Sequence, residues 1–352
     1  MTVRVLPIDM ASPEDVTGIA AAVAEFGPHR VRRLAVLIKV EGNSAPNDYS
    51  CELTRRTLHE SFAAAGLAER AISVIAIGCE GIATPFATLL ADIEEPSAPT
   101  PGPRLALGFG ASAPVPVAER GRAGLLPVVS ATVGAALGDA GLTPARATLL
   151  LVKIPVVHPG VPGATAEQTS MRRGRSLAAL GAGIALGDIE PHRVTEAVIG
   201  IDGAADLYAR RVMTVAAPES DRVEAIALGN NADAGGDLII TATLMADILD
   251  GAAVSRMLHE SGVALTRWGT VEDPDDVAAV LMKTGVAPDG RVRGHRTMVY
   301  SSAMPPESHI RAASSGMLGA ILGHSRFFNS GDPIHQAPPG GGIVAAIVRN
   351  RA

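Results

Sequence analysis

The sequence predicts an α/β protein, α+β in the wider sense, built as three homologous units around a pseudo-threefold axis. Each unit is expected to be a sheet covered by helices, with a site on the axis. Three observations carry this. A short apolar run ending in a lysine occurs three times, as AVLIK to Lys39, LLLVK to Lys153 and AVLMK to Lys283. Around each run one order repeats: helical segment, lysine strand, Gly- or Pro-containing loop, second helix, short strand with a small-residue turn. The apolar bulk is Ala, Val, Leu and Ile, with only 10 aromatic residues in 352, which suits Ala-faced helices lying close on Val- and Ile-rich strands.

The first unit is placed at residues 1–103. A helix over 15–26 (DVTGIAAAVAEF) leads into the Lys39 strand, the loop EGNSAPND, a helix over 51–66 and a strand with its turn at VIAIGCEG. Residues 94–104 (EEPSAPTPGPR) read as an extended proline-rich linker. The second unit, 105–245, repeats the order with a helix over 131–140, the Lys153 strand, the loop PVVHPGVPG, a helix over 170–187 and the strand VMTVAAPE. The third, 246–352, restarts quietly near 247–252. An acidic helix start at Asp273 (DPDDVAAVL) then precedes the Lys283 strand, the loop GVAPDG, a helix over 309–323 and the strand FFNSGDP.

Composition excludes several function classes. With 47% hydrophobic residues, wholesale disorder is excluded. Lys and Arg number 30 against 36 Asp and Glu, and no basic run is interleaved with aromatics, so no nucleic acid partner is expected. Two cysteines, Cys51 and Cys79, make neither a disulfide framework nor a CxxC metal pair. The N-terminus MTVRVLPIDM lacks a signal pattern and no apolar run reaches the length of a membrane span, so a soluble, cytoplasmic protein with no membrane partner is expected.

A lysine at a buried strand end is costly unless paired or neutral, because desolvation lowers its pKa from about 10.4. Three such lysines on one axis are expected to depress one another, and a neutral amine is a base. A serine beside it becomes an activated nucleophile suited to acyl transfer, with turn N–H groups to hold an oxyanion. Only the third unit supplies both parts, Lys283 and Ser330 followed by Gly331. The plainer alternative is a solvated strand-end lysine and a turn serine. Arg175 and Arg311, near the starts of the second helices, either reach the centre to bind a planar oxo group or are solvated. The segment HQAPPGGG (335–342) cannot be helical; it either turns carbonyls toward a hard cation or shapes a tight loop against Ser330. No Lys-Ser/Thr pair follows it, so it is not a P-loop. Cys79 is either a buried small hydrophobe or a second candidate nucleophile.

Taken together, LIKVEGNSAPND (37–48), CEGIATP (79–85), SMRRGRSLAALG (170–181), PDGRVRGHRTM (288–298), HIRAA (309–313) and NSGDPIHQAPPGGG (329–342) resemble the ring-opening amidohydrolases, the cyanuric acid hydrolase and barbiturase family, along essentially the whole chain. The resemblance implies three units, each offering a Lys, a Ser and an Arg to a central pocket for a flat cyclic imide or ureide. It also implies a homo-oligomer such as a tetramer. Motif by motif, the lysines fall on Lys39, Lys153 and Lys283, and the arginines on Cys51, Arg175 and Arg311. The serines fall on Ala76, four residues before Glu80, on Val215, four before Glu219, and on Ser330. Two hydroxyls and one guanidinium are therefore replaced, including the second-unit serine that the resemblance implies as nucleophile. The family's metal-binding glutamate, beside the third lysine, is Thr284 here. No cofactor is expected to be required, and a structural Mg or Ca near Gln336 and the Gly-rich loop is disfavoured.

The expected function is thus hydrolytic opening of a cyclic amide, imide or ureide ring, cyanuric or barbituric acid-like, by a Ser-Lys dyad in a central pocket. Ser330, Lys283 and Lys153 are the expected catalytic residues. Lys39, Arg175, Arg311, Ala76, Ile77, Val215, Ala216 and Gly331 are expected to bind a small planar substrate, one with an apolar edge. The alternative is a homologue that binds a small cyclic ligand without hydrolysing it.

Overall fold

The computed structural model describes residues 2–42, 47–78, 81–95 and 101–350. The first unit runs β1 (Thr2–Asp9), α1 (Thr17–Phe26), β2 (Val31–Val40), α2 (Ser50–Ala64), β3 (Ala71–Ile77) and β4 (Phe86–Ile93). The second runs β5 (Arg104–Ala111), α3 (Leu125–Asp139), β6 (Ala147–Pro155), the one-turn α4 (Ala166–Thr169), α5 (Met171–Leu186), β7 (Val212–Ala217) and β8 (Glu224–Asn231). The third runs β9 (Leu238–Met245), α6 (Gly251–Glu260), β10 (Val277–Thr284), the two-residue strands β11 (Arg291–Val292) and β12 (His295–Arg296), α7 (Pro306–Leu322), β13 (Phe328–Gly331) and β14 (Gly342–Arg349).

The three main sheets share one topology: β1-β4-β2-β3, β5-β8-β6-β7 and β9-β14-β10-β13. In each, the lysine strand is interior. It runs antiparallel to the last strand of its unit and parallel to the edge strand that follows the second helix. Parallel neighbours need a crossover, and α2, α5 and α7 supply it.

Strand alternation splits every lysine strand between two cores. Leu34, Val36 and Ile38 pack under the helices of the first unit, while Ala35 and Leu37 join a central cluster. Leu150 and Val152 face the second unit's helices and Leu149 and Leu151 face the centre. Val280 and Met282 face outward and Ala279 and Leu281 inward. The three sheets thus bury their inner faces against one another.

Several expectations are corrected. β9 lies before residue 246 and pairs with β14, so the division between the second and third sheets falls between β8 and β9 rather than at 245/246. No helix starts at Asp273. Residues Pro274–Asp276 make one 3-10 turn, with the Asp273 side chain accepting from Asp275 N, and the chain then enters β10 directly. The helix equivalent to α1 and α3 is α6. α3 starts before residue 131 because Pro127 lies in its first turn, where no N–H is needed. Residues 96–100 of the expected linker lie outside the described residues, and its last residue, Arg104, already opens β5.

Candidate active site

Because Lys39, Lys153 and Lys283 continue the inward-facing set of their strands, all three are buried, with relative exposures of 3, 5 and 1%. The parallel registers are equivalent: Lys39 lies opposite Ala76, Lys153 opposite Val215 and Lys283 opposite Ser330. One position in each unit is therefore set beside the amine, and its side chain is a methyl, an isopropyl and a hydroxymethyl group in turn.

Lys283 Nζ donates to Ser330 Oγ at 3.2 Å. Burial and then the Arg175 guanidinium push the Lys283 amine down to about 7, against the opposing pull of Asp332 and Glu307. The expected mutual depression by other lysines is not the cause; the neighbouring cation is an arginine. Lys153 behaves in the opposite way. Burial disfavours its charge, but Glu224, 2.7 Å away, and Glu219 outweigh burial and hold the ammonium above the usual lysine range. Its Nζ also donates to Ser73 O of the first unit at 3.2 Å. Lys153 is thus an ion-paired cation at the seam between two units, and the expectation of a neutral base there is corrected.

Arg175 Nη1 donates to Asp332 Oδ2 at 2.7 Å, and Arg172 Nη1 to Asp332 Oδ1 at 2.7 Å. Burial alone would raise the Asp332 carboxyl; the two arginines and Lys283 outweigh it and keep the group below the usual carboxylate range. Asp332 sits at φ 56°, a left-handed turn directly after Ser330-Gly331. Its N–H donates to Glu307 Oε2 at 3.1 Å, and burial pushes the Glu307 carboxyl up. Arg311 donates to Ser308 Oγ at 3.2 Å. A Cβ on Gly331 would stand 3.0 Å from Glu307 Oε2 and 3.2 Å from Arg311 Nη1, so a larger residue there would press on both side chains.

Of these groups, Arg175, Arg311, Ser330, Gly331 and Glu219 line a cavity of about 590 Å³. The expected residues Ala76, Ile77, Val215, Ala216, Arg175, Arg311, Ser330 and Gly331 all line it, as does Cys51, which the resemblance sets at the first unit's arginine position; the expected Lys39 does not, and Arg55, Met171 and Glu219 line it without having been expected. Lys283 stands behind Ser330. Lys153 instead lines an adjoining cleft of about 620 Å³ with Ser73 and Glu224, and the two spaces share Arg55 and Glu219. Burial, then Glu219, pushes the Cys51 thiol well above its usual range, so it is no thiolate nucleophile. Cys79 and Glu80 lie outside the described residues. Signals for part of the missed set existed: Glu307 stands one helical turn before Arg311, and Asp332 two residues after Ser330. Nothing local announces Glu224 or Arg55.

The residues near the Gly-rich loop do not fit Mg or Ca. Gln336 accepts from Thr214 N and donates to Thr214 Oγ1 and Ile334 O, each at 3.0 Å. The carbonyls of Pro338 and Gly341 accept from Gly341 N and Gly285 N. Asn329 Oδ1 is buried without a hydrogen bond, but the same amide's Nδ2 donates to Ser314 Oγ, which accepts from Thr284 Oγ1, so the polar groups beside it are hydroxyls, and both cations favour carboxylates. No cluster of three or more His, Cys, Asp or Glu able to hold a metal occurs among the described residues.

Three sheet units of one topology, with inward lysines and, among the described residues, a hydroxyl–amine pair beside two arginines, define a three-unit α/β fold with a central site. The chain belongs to the amidohydrolase ring-opening protein family, whose model matches residues 4–349. It is 33% identical to a cyanuric acid amidohydrolase of Pseudonocardia dioxanivorans, over 96% of each chain. It is 30% identical to a cyclic amide hydrolase of Azorhizobium caulinodans, over 99% of this chain and 100% of that one. The crystal structure of cyanuric acid hydrolase from A. caulinodans superposes with a TM-score of 0.85 at 29% identity, covering 99% of both chains. A second cyanuric acid hydrolase structure, described as arising by structural concatenation, also scores 0.85, at 26% identity. Among the described residues no helix is long and apolar enough to cross a membrane.

Proposed function

We propose that this protein opens a cyclic amide, imide or ureide by hydrolysis, with Ser330 as nucleophile and Lys283 as base. The observation that carries the reading is the 3.2 Å contact from Lys283 Nζ to Ser330 Oγ, with the amine brought near neutrality. In the step envisaged, Lys283 takes the Ser330 hydroxyl proton as Oγ bonds to a ring carbonyl carbon, and the carbonyl becomes an oxyanion facing Arg175 and Arg311. Collapse breaks the ring C–N bond, and the leaving nitrogen takes the proton from Lys283. Water, deprotonated by the same amine, then cleaves the ester, releasing the opened acid and restoring Ser330.

The second unit is poorly suited to the same role: Val215 offers no hydroxyl and Lys153 stays charged against Glu224. That loss also favours the competing reading, a protein that binds a cyclic ligand without opening it. Replacing Ser330 by Ala separates the two. Under the hydrolytic reading, turnover on a panel of cyclic imides and ureides falls by about 10³-fold or more, in line with loss of a covalent nucleophile; under the binding reading the native protein forms no opened product at all. We also propose that the fold needs no metal, since hydrogen bonds through Gln336 already hold the loop.

A further inference from the structure

We infer that the ring taken by this site carries an apolar substituent, alkyl or aryl, lodged against Ile77, Ala76, Val215 and Met171 while the reacting carbonyl faces Ser330. The inference rests on the hydrolytic reading above and names its substrate class. Space is the first argument. At a liquid water's share of about 30 Å³ per heavy atom, generous for a compact ring, a flat ring with three exocyclic oxygens needs under about 270 Å³. The cavity holds about 590 Å³, so an unsubstituted ring leaves more than half of it unfilled.

The second argument is where the unfilled part lies. Ala76 and Val215 occupy the inward positions opposite Lys39 and Lys153, equivalent to Ser330 opposite Lys283. Neither can hydrogen-bond a ring carbonyl. A ring with polar atoms on every edge would therefore meet a methyl and an isopropyl group where the third unit offers a hydroxyl, and would lose the hydrogen bond of each missing hydroxyl. The apolar side chains there are also incompletely covered by the protein. Met171, on the first turn of α5, is 36% exposed, and Ile77 and Val215 are only half-buried although they line a cavity. Apolar side chains left open in a concave site are the surface a ligand's hydrocarbon covers. Arg175 and Arg311 line the cavity with Ser330, and Arg55, Glu52 and Glu219 line it as well, so the apolar wall is a patch of Ile77, Ala76, Val215 and Met171 set among charged groups.

The test uses cyanuric acid and a single ring series: barbituric acid and its 5-methyl, 5-ethyl and 5-butyl derivatives. Turnover is measured on the native protein and binding, by calorimetry, on the Ser330→Ala variant. The expected result is that kcat/KM and affinity both rise up the series, by about fourfold per added methylene at full burial, with cyanuric acid weakest. The Ala76→Ser/Val215→Ser double variant should reverse that order toward cyanuric acid. If the native protein opens the unsubstituted rings as well as or better than the butyl ring, the inference fails and the hydrolytic reading stands. If substituted rings are preferred but the double variant leaves the order unchanged, the wall assigned here is wrong. If no ring in the set is bound or opened, both readings fall together.

Discussion

At the scale of residues, two lysines at equivalent positions do opposite things because their nearest charges differ. Lys283, brought to about 7 by burial and Arg175, must be neutral to act as a base. The expected kcat/KM therefore rises with pH through about 7 to a plateau, and about a tenth of the plateau remains one unit below. Arg175→Gln removes a cation that depresses the amine and should move the limb to higher pH. Asp332→Asn removes a carboxylate that raises it and should move the limb lower; a pH–rate profile of each variant checks both. The same shift has a stability sign. Because the folded pKa lies below the unfolded one, the unfolded chain binds more protons between about 7 and 10.4, and this group's contribution to stability increases with pH across that window. Lys153→Met acts differently: it leaves Glu224, whose side chain is 18% exposed, without its cation. A loss of about 3–5 kcal/mol in urea denaturation is expected, recovered in part in Lys153→Met/Glu224→Leu, because the double change removes one uncompensated carboxylate and leaves Glu219 with Arg55.

At the scale of elements, α5 does the most to build the site, since it carries both arginines that clasp Asp332 of the third unit. Its start is set by Ser170, whose Oγ accepts from Arg173 N at 3.1 Å, and its end by Gly187 at φ 73°. Ser170→Ala should cost about 1 kcal/mol by chemical denaturation and loosen the turn that aims Arg172 and Arg175. The second helices and lysine strands were legible in the sequence because each has a clear period and a punctuated end, Gly66, Gly187 and Gly323. The first and last strands of each unit were not. LLADI of β4 and the β14 run are apolar on both faces, since one face meets a helix layer and the other the central core, so they show no alternation to read. The same ambiguity hid β9 and displaced the last unit boundary. Asp273 misled for a different reason: an Asp-Pro pair opens a single 3-10 turn as readily as a full helix.

At the scale of the molecule, the units are not independent. The central cluster takes side chains from all three sheets, including Leu37, Leu151 and Leu281. Ion pairs also tie the units, as in Arg32 and Arg33 to Asp139 and Arg175 to Asp332. A unit cut from the others would expose one whole face of its sheet to water. Calorimetry should therefore give one unfolding transition rather than three, and dialysis against a chelator should leave its midpoint unchanged, because hydrogen bonds hold the Gly-rich loop. Separate transitions would mean that the shared core contributes little.

The sequence by itself determined the repeat, the three lysines and the unit that keeps both a lysine and a serine, because strand period and motif order are local and survive in a linear reading; the positions beside the other two lysines came from the family resemblance. It did not determine which amine is neutral. That depends on Arg175 from the second unit reaching Asp332 and Lys283 of the third, and on Glu224 lying opposite Lys153 on the adjacent strand of its own sheet. Electrostatic interactions act through space at a few ångströms; Lys153 and Glu224 meet as a cross-strand pair once their sheet forms, whereas Arg175 and Asp332 become neighbours only when the units close around their common core.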